Sequence, residues 1–174
     1  MVIAADDFTV RGGAADASIT GKVEQAEAMA HTLRLPLIRL IDATGGSVKT
    51  IESLGRTYVP ANPSWGDLIR NLESVPVVAL VLGSVAGIAS ARAVSAHLTV
   101  MVESISHMFI AGPPVVKRTG IDMGKEELGG ARVHEKAGAA DLVVKSEDEA
   151  FATARAFLSF LPSSVGELLP ARAA

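Results

Sequence analysis

The chain has 174 residues, of which 49% are hydrophobic, 20% are charged and 4% are aromatic, and its formal net charge is −3. This length suits one globular domain with a core, whereas generic nucleic-acid binding is excluded because it needs clustered cations or aromatic stacking platforms. The chain has no cysteine, so disulfides, thiolate metal ligands and cysteine nucleophiles are excluded as well.

The first part of the chain is predicted to contain strands around one helix. Met1–Ala5 and Phe8–Val10 are candidate strands, and Ser18–Leu33 is an amphipathic helix with its apolar side chains on one face. Leu37–Ile41 is the first clear buried strand, because it is rich in Leu and Ile, follows Pro36 and precedes a glycine-containing segment.

The middle of the chain repeats this order. Trp65–Leu72 is predicted to be a helix, and Val75–Leu82 is the second clear buried strand. A helix of small residues, Ala86–Ala96, follows it directly. Weaker apolar runs predict two further strands at His97–Val102 and Met108–Ala111.

The last part of the chain is predicted to form a helix at Lys125–His134, a strand at Asp141–Val144 and a helix at Glu147–Leu161. The start of the final helix is the best defined. Ser146 is followed three residues later by Glu149, which is the spacing of a capping box.

Strands that alternate with helices predict an α/β fold with parallel crossover connections. We expect one domain over residues 1–162 and a tail over residues 163–174. No run is apolar enough over about 18 residues to span a membrane. The segment before residue 10 is too short and acidic for a signal or transit peptide. We therefore expect a cytoplasmic protein, or one of the mitochondrial matrix in a eukaryote.

Two glycine-containing turns, Asp42–Ser47 and Gly83–Ala89, follow the two clear strands and are the candidate sites. Ligands bind at the carboxyl ends of strands in α/β sheets, and backbone amides at such a turn can stabilise a developing oxyanion. An alternative stays open on spacing alone. The glycines would then only permit tight turns and close helix–sheet packing.

Side chains suited to nucleophilic, acid–base or metal chemistry form no recognisable pattern. Ser84 does not stand at the centre of a G-x-S-x-G elbow, so we expect it to cap a helix, and nothing places His97 or His107 beside it. Hydratase chemistry needs paired carboxylates near the Gly83–Ala89 turn, but the next acidic residue along the chain is Glu103. This argues against a hydratase. No histidine pair has metal-ligand spacing. His134 is expected to lie at the C-terminus of a helix, where a positive charge interacts favourably with the helix dipole.

Several segments resemble one family when they are taken together in order. They are D-F-T-V-R-G-G at 7–13, Leu40–Ser47, Ala86-Gly87, I-A-G-P-P-V-V-K at 110–117, E-L-G-G-A at 127–131 and His134. This order resembles the N-terminal domain of the carboxyltransferase subunit of propionyl-, methylcrotonyl- and geranyl-CoA carboxylases. The resemblance covers residues 1–162.

The resemblance implies a ClpP/crotonase-like β–β–α superhelix and the acyl-CoA-binding part of a biotin-dependent carboxyltransferase, a ligase or transferase component. In such enzymes carboxybiotin, delivered on a partner carrier domain, releases CO2 that the α- or γ-carbon of an acyl-CoA captures. Implied partners are acyl-CoA, which contains coenzyme A, a biotin carboxyl carrier or biotin carboxylase subunit, and further copies of the chain in a homo-oligomer. No metal, nucleic acid or membrane is implied.

The resemblance also implies roles for particular residues. The backbone amides of Gly87 and Ile88 are the oxyanion donors for the thioester enolate, with Ile88 standing where the family has a second glycine. The implied or candidate substrate-binding residues, including cations for the coenzyme A phosphates, are Gly45, Gly46, Ala86, Arg11, Gly12, Gly13 and Lys22.

Family members carry a further N-terminal segment and a C-terminal domain with the biotin-side oxyanion site. We therefore expect this chain to be an incomplete domain that needs a partner chain for carboxyl transfer. Two alternatives stay open. One is a biotin-independent hydrolase, isomerase or hydratase of the crotonase superfamily, and the other is a non-catalytic assembly subunit. The sequence does not name the acyl chain.

Overall fold

The computed structural model describes residues 1–14, 21–45, 52–56, 64–162 and 167. The strands in these ranges are β1 (Val2–Ala5), β2 (Leu37–Ile41), β3 (Val77–Val81), β4 (Ser84–Ala86), β5 (Leu98–Val102), β6 (His107–Phe109) and β7 (Leu142–Val144). The helices are α1 (Lys22–Leu33), α2 (Trp65–Ser74), α3 (Ile88–Val94), α4 (Pro113–Val116), α5 (Lys125–Gly129), α6 (Ala131–Ala137) and α7 (Glu147–Ser159).

The strands form two parallel sheets. The larger sheet has the order β1-β2-β3-β5-β7, and β4 pairs with β6 in the smaller one. Only Leu82 and Gly83 separate β3 from β4, and α3 follows β4 after Gly87, so the chain runs strand–strand–helix at this point. The predicted α/β fold with parallel crossovers is confirmed.

The central strand β3 is buried on both faces of the large sheet. Val78 and Leu80 pack on one face in a cluster that includes Ala150 of α7. Ala79 and Val81 point to the other face, where α3 packs. Each buried side chain of Val or Leu size stabilises the fold by about 1.5–3 kcal/mol. This packing holds α3 against the sheet and so fixes where the turn before it lies.

A buried polar network joins α1, α2, β2 and the end of α3. Arg39 is fully buried in β2, and its guanidinium pairs with Glu27 of α1 at 2.8 and 3.0 Å. It also donates to the carbonyls of Arg92 and Ser95, while Asn71 Nδ2 donates to the Glu27 carboxylate at 2.8 Å. The charges are stabilised because their hydrogen-bonding groups find partners. The pattern of this strand predicts an apolar core element, and nothing local in the sequence indicates that Arg39 is buried in a polar network.

Several predicted elements have different bounds. Phe8–Val10 is a turn and not a strand, because the Asp7 carboxylate accepts hydrogen bonds from Thr9 N and Oγ1, and Asp7 O accepts one from Val10 N. The strand predicted at Met108–Ala111 begins at His107 and ends at Phe109. Helix α1 begins at Lys22, and residues 18–20 of the predicted helix lie outside the described residues.

The helix predicted over Lys125–His134 is divided into α5 and α6 by Gly130, which is extended with φ −67° and ψ 163° and forms a single antiparallel bridge with His107. The helix predicted at Ala86 begins at Ile88 instead, because the short strand β4 comes first.

The final helix begins as predicted. Ser146 Oγ accepts a hydrogen bond from Glu149 N at 3.2 Å, and Glu149 Oε2 accepts one from Lys145 N at 2.8 Å. Of the predicted tail, residue 167 alone is described, so the division at 162 stays a prediction. In the parts of the chain that the structure describes, no helix has the length and apolarity to cross a membrane.

Candidate functional site

Two turns that are far apart in the sequence meet beyond the ends of β2 and β4. Ala86 N donates a hydrogen bond to Ala43 O at 3.1 Å. A Cβ atom added to Gly87 would lie 3.6 Å from Gly45 Cα, and one added to Gly45 would lie 3.7 Å from Ala86 O. A single added methyl group would thus make ordinary van der Waals contact across the gap, so the two turns are close neighbours. The predicted site residues Gly45, Ala86 and Gly87 come together here, and Gly46 lies outside the described residues.

Gly87 has a backbone conformation that only glycine adopts readily, with φ 62° and ψ −123°. Its carbonyl accepts hydrogen bonds from Ser90 N and Ala91 N, and its own N–H donates to Phe109 O at 2.9 Å. The Gly87 amide is thus used within the protein, which corrects its assignment from sequence as an oxyanion donor. The glycine is needed for the turn.

Ile88 is the first residue of α3 and has helical geometry. The first N–H groups of a helix have no acceptor within it. Among the described residues, no backbone carbonyl accepts the Ile88 N–H. Because this position does not require a positive φ, isoleucine is tolerated where the family has glycine, and its amide points out of the start of the helix.

The Arg11–Gly13 turn docks on the segment that precedes Gly45. Arg11, Gly12 and Gly13 all have left-handed φ angles, of 52°, 66° and 68°. Gly12 O accepts hydrogen bonds from Thr44 N at 2.8 Å and from Thr44 Oγ1 at 2.9 Å. A Cβ atom on Gly13 would lie 2.8 Å from Ala43 Cα. The turn is therefore in direct contact with the chain that carries Gly45, and the Arg11 side chain is exposed.

Lys22 lies in a different place from the two glycine turns. It is exposed at the start of α1 and lines a groove of about 330 Å³ between α1 and β1, together with Asp6 and Arg92. Hydrogen bonds from Thr9 lower the pKa of Asp7, and the charge of Lys22 acts in the same direction. No direct contact of Lys22 with Gly45 or Gly87 is seen in the described parts of the chain.

An apolar cleft of about 240 Å³ opens beside Gly87. Its lining residues are Gly87, Ser90, Ala91, Val94, Met108, Phe109, Ile110, His134 and Ala139. Ser90 Oγ donates to Phe109 O at 2.8 Å, so this hydroxyl is satisfied within the wall. His134 lies in the last turn of α6, as expected, and its Nε2 donates to Met108 O of β6 at 2.9 Å. The cleft therefore offers apolar surface next to the start of α3.

Two carboxylates at the ends of neighbouring strands were missed in the sequence, although each directly follows a predicted strand. Asp42 packs on Gly83, where an added Cβ atom would lie 2.5 Å from Asp42 Cγ. Burial raises the pKa of Asp42 above its ordinary value of 3.8, and the negative charges of Asp6 and Glu147 raise it further. Burial also raises the pKa of Asp6, against the effect of its ion pair with Arg92 at 3.4 Å.

A hydrogen-bonded chain of side chains lies at the start of β4 and was also missed. Ser84 Oγ is 3.0 Å from His107 Nδ1, and His107 Nε2 is 2.9 Å from Glu126 Oε1. Lys125 Nζ donates to Ser84 Oγ at 3.4 Å. Ser84 is therefore not a helix cap as expected, because it lies in β4 directly opposite His107 of β6. The pairing of Ser84 with His107 could have been found only by recognising that these two short strands lie side by side.

The other histidine considered beside Ser84, His97, is used elsewhere. Its Nδ1 accepts a hydrogen bond from Val77 N at 3.0 Å, and its Nε2 donates to Leu72 O at 3.0 Å. Within the described ranges, no group of three or more His, Asp or Glu side chains is placed to hold a metal ion.

The chain is similar to known carboxyltransferases. Residues 1–174 match the family model described as the carboxyl transferase domain. The propionyl-CoA carboxylase beta chain of Saccharopolyspora erythraea is 34% identical over 171 residues, which cover 94% of this chain and 30% of that protein.

Two solved structures support the same relationship. The crystal structure of transcarboxylase 12S with hydrolysed methylmalonyl-coenzyme A bound has a TM-score of 0.78 and 32% identity, over 97% of this chain and 33% of that one. The geranyl-CoA carboxylase beta subunit of P. aeruginosa has a TM-score of 0.75 and 25% identity, over 98% of this chain and 32% of that one. This chain therefore spans about a third of the length of these relatives. The likeness confirms the predicted ClpP/crotonase-like fold.

Proposed function

Because the chain belongs to the carboxyl transferase domain family, we propose that it is the acyl-CoA-binding part of a biotin-dependent carboxyltransferase. The observation that carries the proposal is the contact between the Gly45 and Gly87 turns, at the start of α3 and beside an apolar cleft. The reaction would move a carboxyl group from carboxybiotin to the α- or γ-carbon of an acyl-CoA. The carboxybiotin would be delivered by a partner carrier domain.

The proposed chemical role of the site is to stabilise the thioester enolate. Removal of the proton or carboxyl group from the α-carbon places negative charge on the thioester oxygen, and fixed N–H donors stabilise that charge. We assign one donor to Ile88 N–H, since the Gly87 N–H already donates to Phe109 O. The second donor is assigned to the backbone of Gly45, which lies close to the Gly87 turn.

Gly87 and the apolar cleft have supporting roles in this proposal. The left-handed φ of Gly87 reverses the chain, so that α3 begins against Gly45. The cleft lined by Ala91, Met108 and Phe109 would hold the acyl group, because a short acyl chain is apolar. Ala86 would contribute backbone to the same wall.

The coenzyme A phosphates are assigned to the cationic edge near the Arg11–Gly13 turn. This turn is held against Thr44 and Ala43, and it leaves the guanidinium of Arg11 in solvent, where it can meet a phosphate. Lys22, at the start of α1, would act at longer range through its charge. The positive charges of both residues would therefore attract the phosphate end of the ligand.

The partners we propose are a biotin carboxyl carrier or biotin carboxylase subunit and further copies of this chain. Ile110 is 95% exposed beside the apolar cleft, and Val115 in α4 is 58% exposed. Exposed apolar side chains next to a site are typical of surfaces that another subunit covers. A second chain at this edge would also supply the biotin side of the active site.

Titration calorimetry of the purified chain tests the proposal. Propionyl-CoA should release or absorb heat on binding, and free coenzyme A should bind more weakly because it lacks the acyl group. A chain that shows no heat of binding with millimolar propionyl-CoA would contradict the proposed function. Cleavage of the thioester without biotin that is lost with Ile88→Pro would instead favour a hydrolase of the same fold acting at this site.

A further inference from the structure

We propose that Ser84, His107 and Glu126 form a second reactive site, in which Ser84 takes the acyl group of an activated ester or thioester and transfers it to water. The inference goes beyond the proposed carboxyl transfer, since it requires neither biotin nor the Ile88 amide. It depends on the hydrogen-bonded chain from Ser84 Oγ through His107 to Glu126 Oε1, with distances of 3.0 and 2.9 Å.

The hydrogen bonds of this chain have a consistent direction. The Lys125 ammonium donates to Ser84 Oγ at 3.4 Å, and the Glu126 carboxylate can only accept from His107 Nε2, so a neutral imidazole accepts the serine hydrogen bond at Nδ1. If Nδ1 accepts, Nε2 carries the other proton and donates it to the Glu126 carboxylate. A hydroxyl that donates to an imidazole, which in turn donates to a carboxylate, is the arrangement that activates a serine nucleophile.

The base is held in place from several sides. His107 lies opposite Ser84 in the β4–β6 pair, is 6% exposed and stacks on Phe109 with a centroid distance of 5.8 Å and an interplanar angle of 11°. Gly130, directly after α5, packs against Glu126, since an added Cβ atom would lie 2.7 Å from Glu126 O, and it also forms a bridge with His107. These contacts fix the imidazole ring relative to the serine.

The nucleophile itself is accessible. Ser84 is only partly buried, and the Glu126 side chain is 65% exposed, so a small solute can reach the hydroxyl. A purely structural role would be to fasten α5 to β6. That contact is already made by Gly129, which packs against the Phe109 ring, where an added Cβ atom would lie 2.8 Å from Cδ1. Docking of α5 therefore does not require the hydroxyl of Ser84.

The reaction would proceed in two balanced steps. Ser84 Oγ bonds to the acyl carbon while His107 takes the serine proton, and the same proton then goes to the departing alcohol or thiol as its bond to the acyl carbon breaks. The Lys125 ammonium, beside Ser84, stabilises the negative charge of the intermediate. Water next attacks the acyl carbon and gives one proton to His107, which passes that proton to Ser84 Oγ as the bond between Oγ and the acyl carbon breaks and the carboxylic acid leaves.

Hydrolysis of p-nitrophenyl acetate by the full chain tests the inference, because this ester needs no coenzyme A site. We expect turnover, with one acetyl group on Ser84 detected by mass spectrometry after rapid quenching. Ser84→Ala should abolish the labelling and lower the rate by about 100-fold, the usual scale of positioned acid–base catalysis. Thermal unfolding of the variant checks that it is folded.

Glu126 acts through His107 and is therefore a positioning residue. Glu126→Gln should slow acetylation of Ser84, and Glu126→Asp should restore part of the rate, which a loss of helix docking alone would not explain. Glu127→Gln is the matched control, since it removes the neighbouring charge of α5 but not the carboxylate that contacts His107. This control should leave the rate unchanged.

The outcomes separate this inference from the proposed function. Acetylation at other residues only, or an unchanged rate in folded Ser84→Ala, overturns the inference and leaves acyl-CoA binding untouched. Loss of propionyl-CoA binding in calorimetry would contradict the proposed function, while hydrolysis that depends on Ser84 would still support the second site.

Discussion

Gly45 and Gly87 lie backbone against backbone, with Gly45 Cα at 3.6 Å from the position that a Gly87 Cβ atom would occupy. The contact joins the loop after β2 to the turn before α3. Because the two turns are positioned by different elements, their close approach depends on the packing of α3 on the sheet. It is the geometric basis of the proposed thioester site.

Substitution of Gly87 should therefore damage stability and binding together. Gly87→Ala places a Cβ atom on a residue with φ 62° and ψ −123°, which should lower the free energy of unfolding by about 1–3 kcal/mol. It should also weaken propionyl-CoA binding, because the start of α3 must shift. Urea denaturation and calorimetry measure the two effects.

Gly120→Ala is the matched control for this variant. Gly120 also has a positive φ, of 91°, but no atom lies within 4 Å of an added Cβ and it does not line the cleft. We expect a comparable loss of stability with unchanged binding. Equal losses of binding in both variants would show that the effect of Gly87→Ala is not specific to the site.

The proposed donor amide of Ile88 can be removed without breaking the helix. Proline is tolerated at the first position of a helix, where its missing N–H has no intrahelical acceptor, so Ile88→Pro deletes the donor and replaces the side chain while the helix stays intact. One hydrogen bond contributes about 0.5–1.5 kcal/mol, so affinity for propionyl-CoA should fall by about 3- to 10-fold.

Ile88→Ala is the control for the loss of the isoleucine side chain, because it keeps the backbone N–H. Its affinity for propionyl-CoA should stay close to that of the unaltered chain. If both variants bind equally well, Ile88 N–H is not a donor to the thioester. Gly87→Pro is unsuitable for this purpose, since the positive φ of Gly87 is closed to proline.

Removal of the buried Arg39 charge should lower the free energy of unfolding more than removal of an exposed charge. Arg39→Met leaves Glu27 buried without its cation, and loss of one partner of such a pair costs about 3–5 kcal/mol. Arg70→Ala breaks an exposed pair with Asp67 in α2 and should cost less than about 1 kcal/mol. Urea denaturation of the two variants measures the contrast. Similar costs would mean that the Arg39 network does not organise the core.

Asp42 should make stability fall as the pH rises. Its pKa in the folded protein is raised above the ordinary value of 3.8, so the folded state binds the proton more tightly than the unfolded state. The resulting stabilisation is present at low pH and is lost as the pH rises through the folded pKa. Asp42→Asn should therefore be more stable than the unaltered chain at neutral pH.

The same substitution should reduce the slope of unfolding free energy against pH in the window that begins near 3.8 and ends above the raised pKa. Denaturation curves recorded through this window measure it. A slope that is the same in both proteins would mean that the burial of Asp42 does not affect its proton affinity.

The elements that the sequence predicted well are those with a local signal. Leu37–Ile41 has the predicted bounds, because an apolar run ends sharply at Pro36 and Asp42. Ser146 and Glu149 define the start of α7 through contacts three residues apart. In each case the relevant physics lies within one turn or one strand of the chain.

The features that were missed depend on contacts between distant segments. Ser84 faces His107 because two three-residue strands pair in parallel, and neither strand is long enough to give a periodic pattern. Gly130 divides a segment with helical composition because it pairs with His107 of β6. Gly87 was singled out by resemblance, but only the structure shows its N–H donating to Phe109 O.

The most direct test of the account follows backbone amide chemical shifts of the isotope-labelled chain as propionyl-CoA is added, with free coenzyme A as the reference. We predict that the Gly45 and Ile88 amides move with propionyl-CoA and move much less with coenzyme A, because the thioester oxygen binds between the two turns. Shifts confined to the groove around Lys22, or no shifts at millimolar propionyl-CoA, would contradict the proposed site.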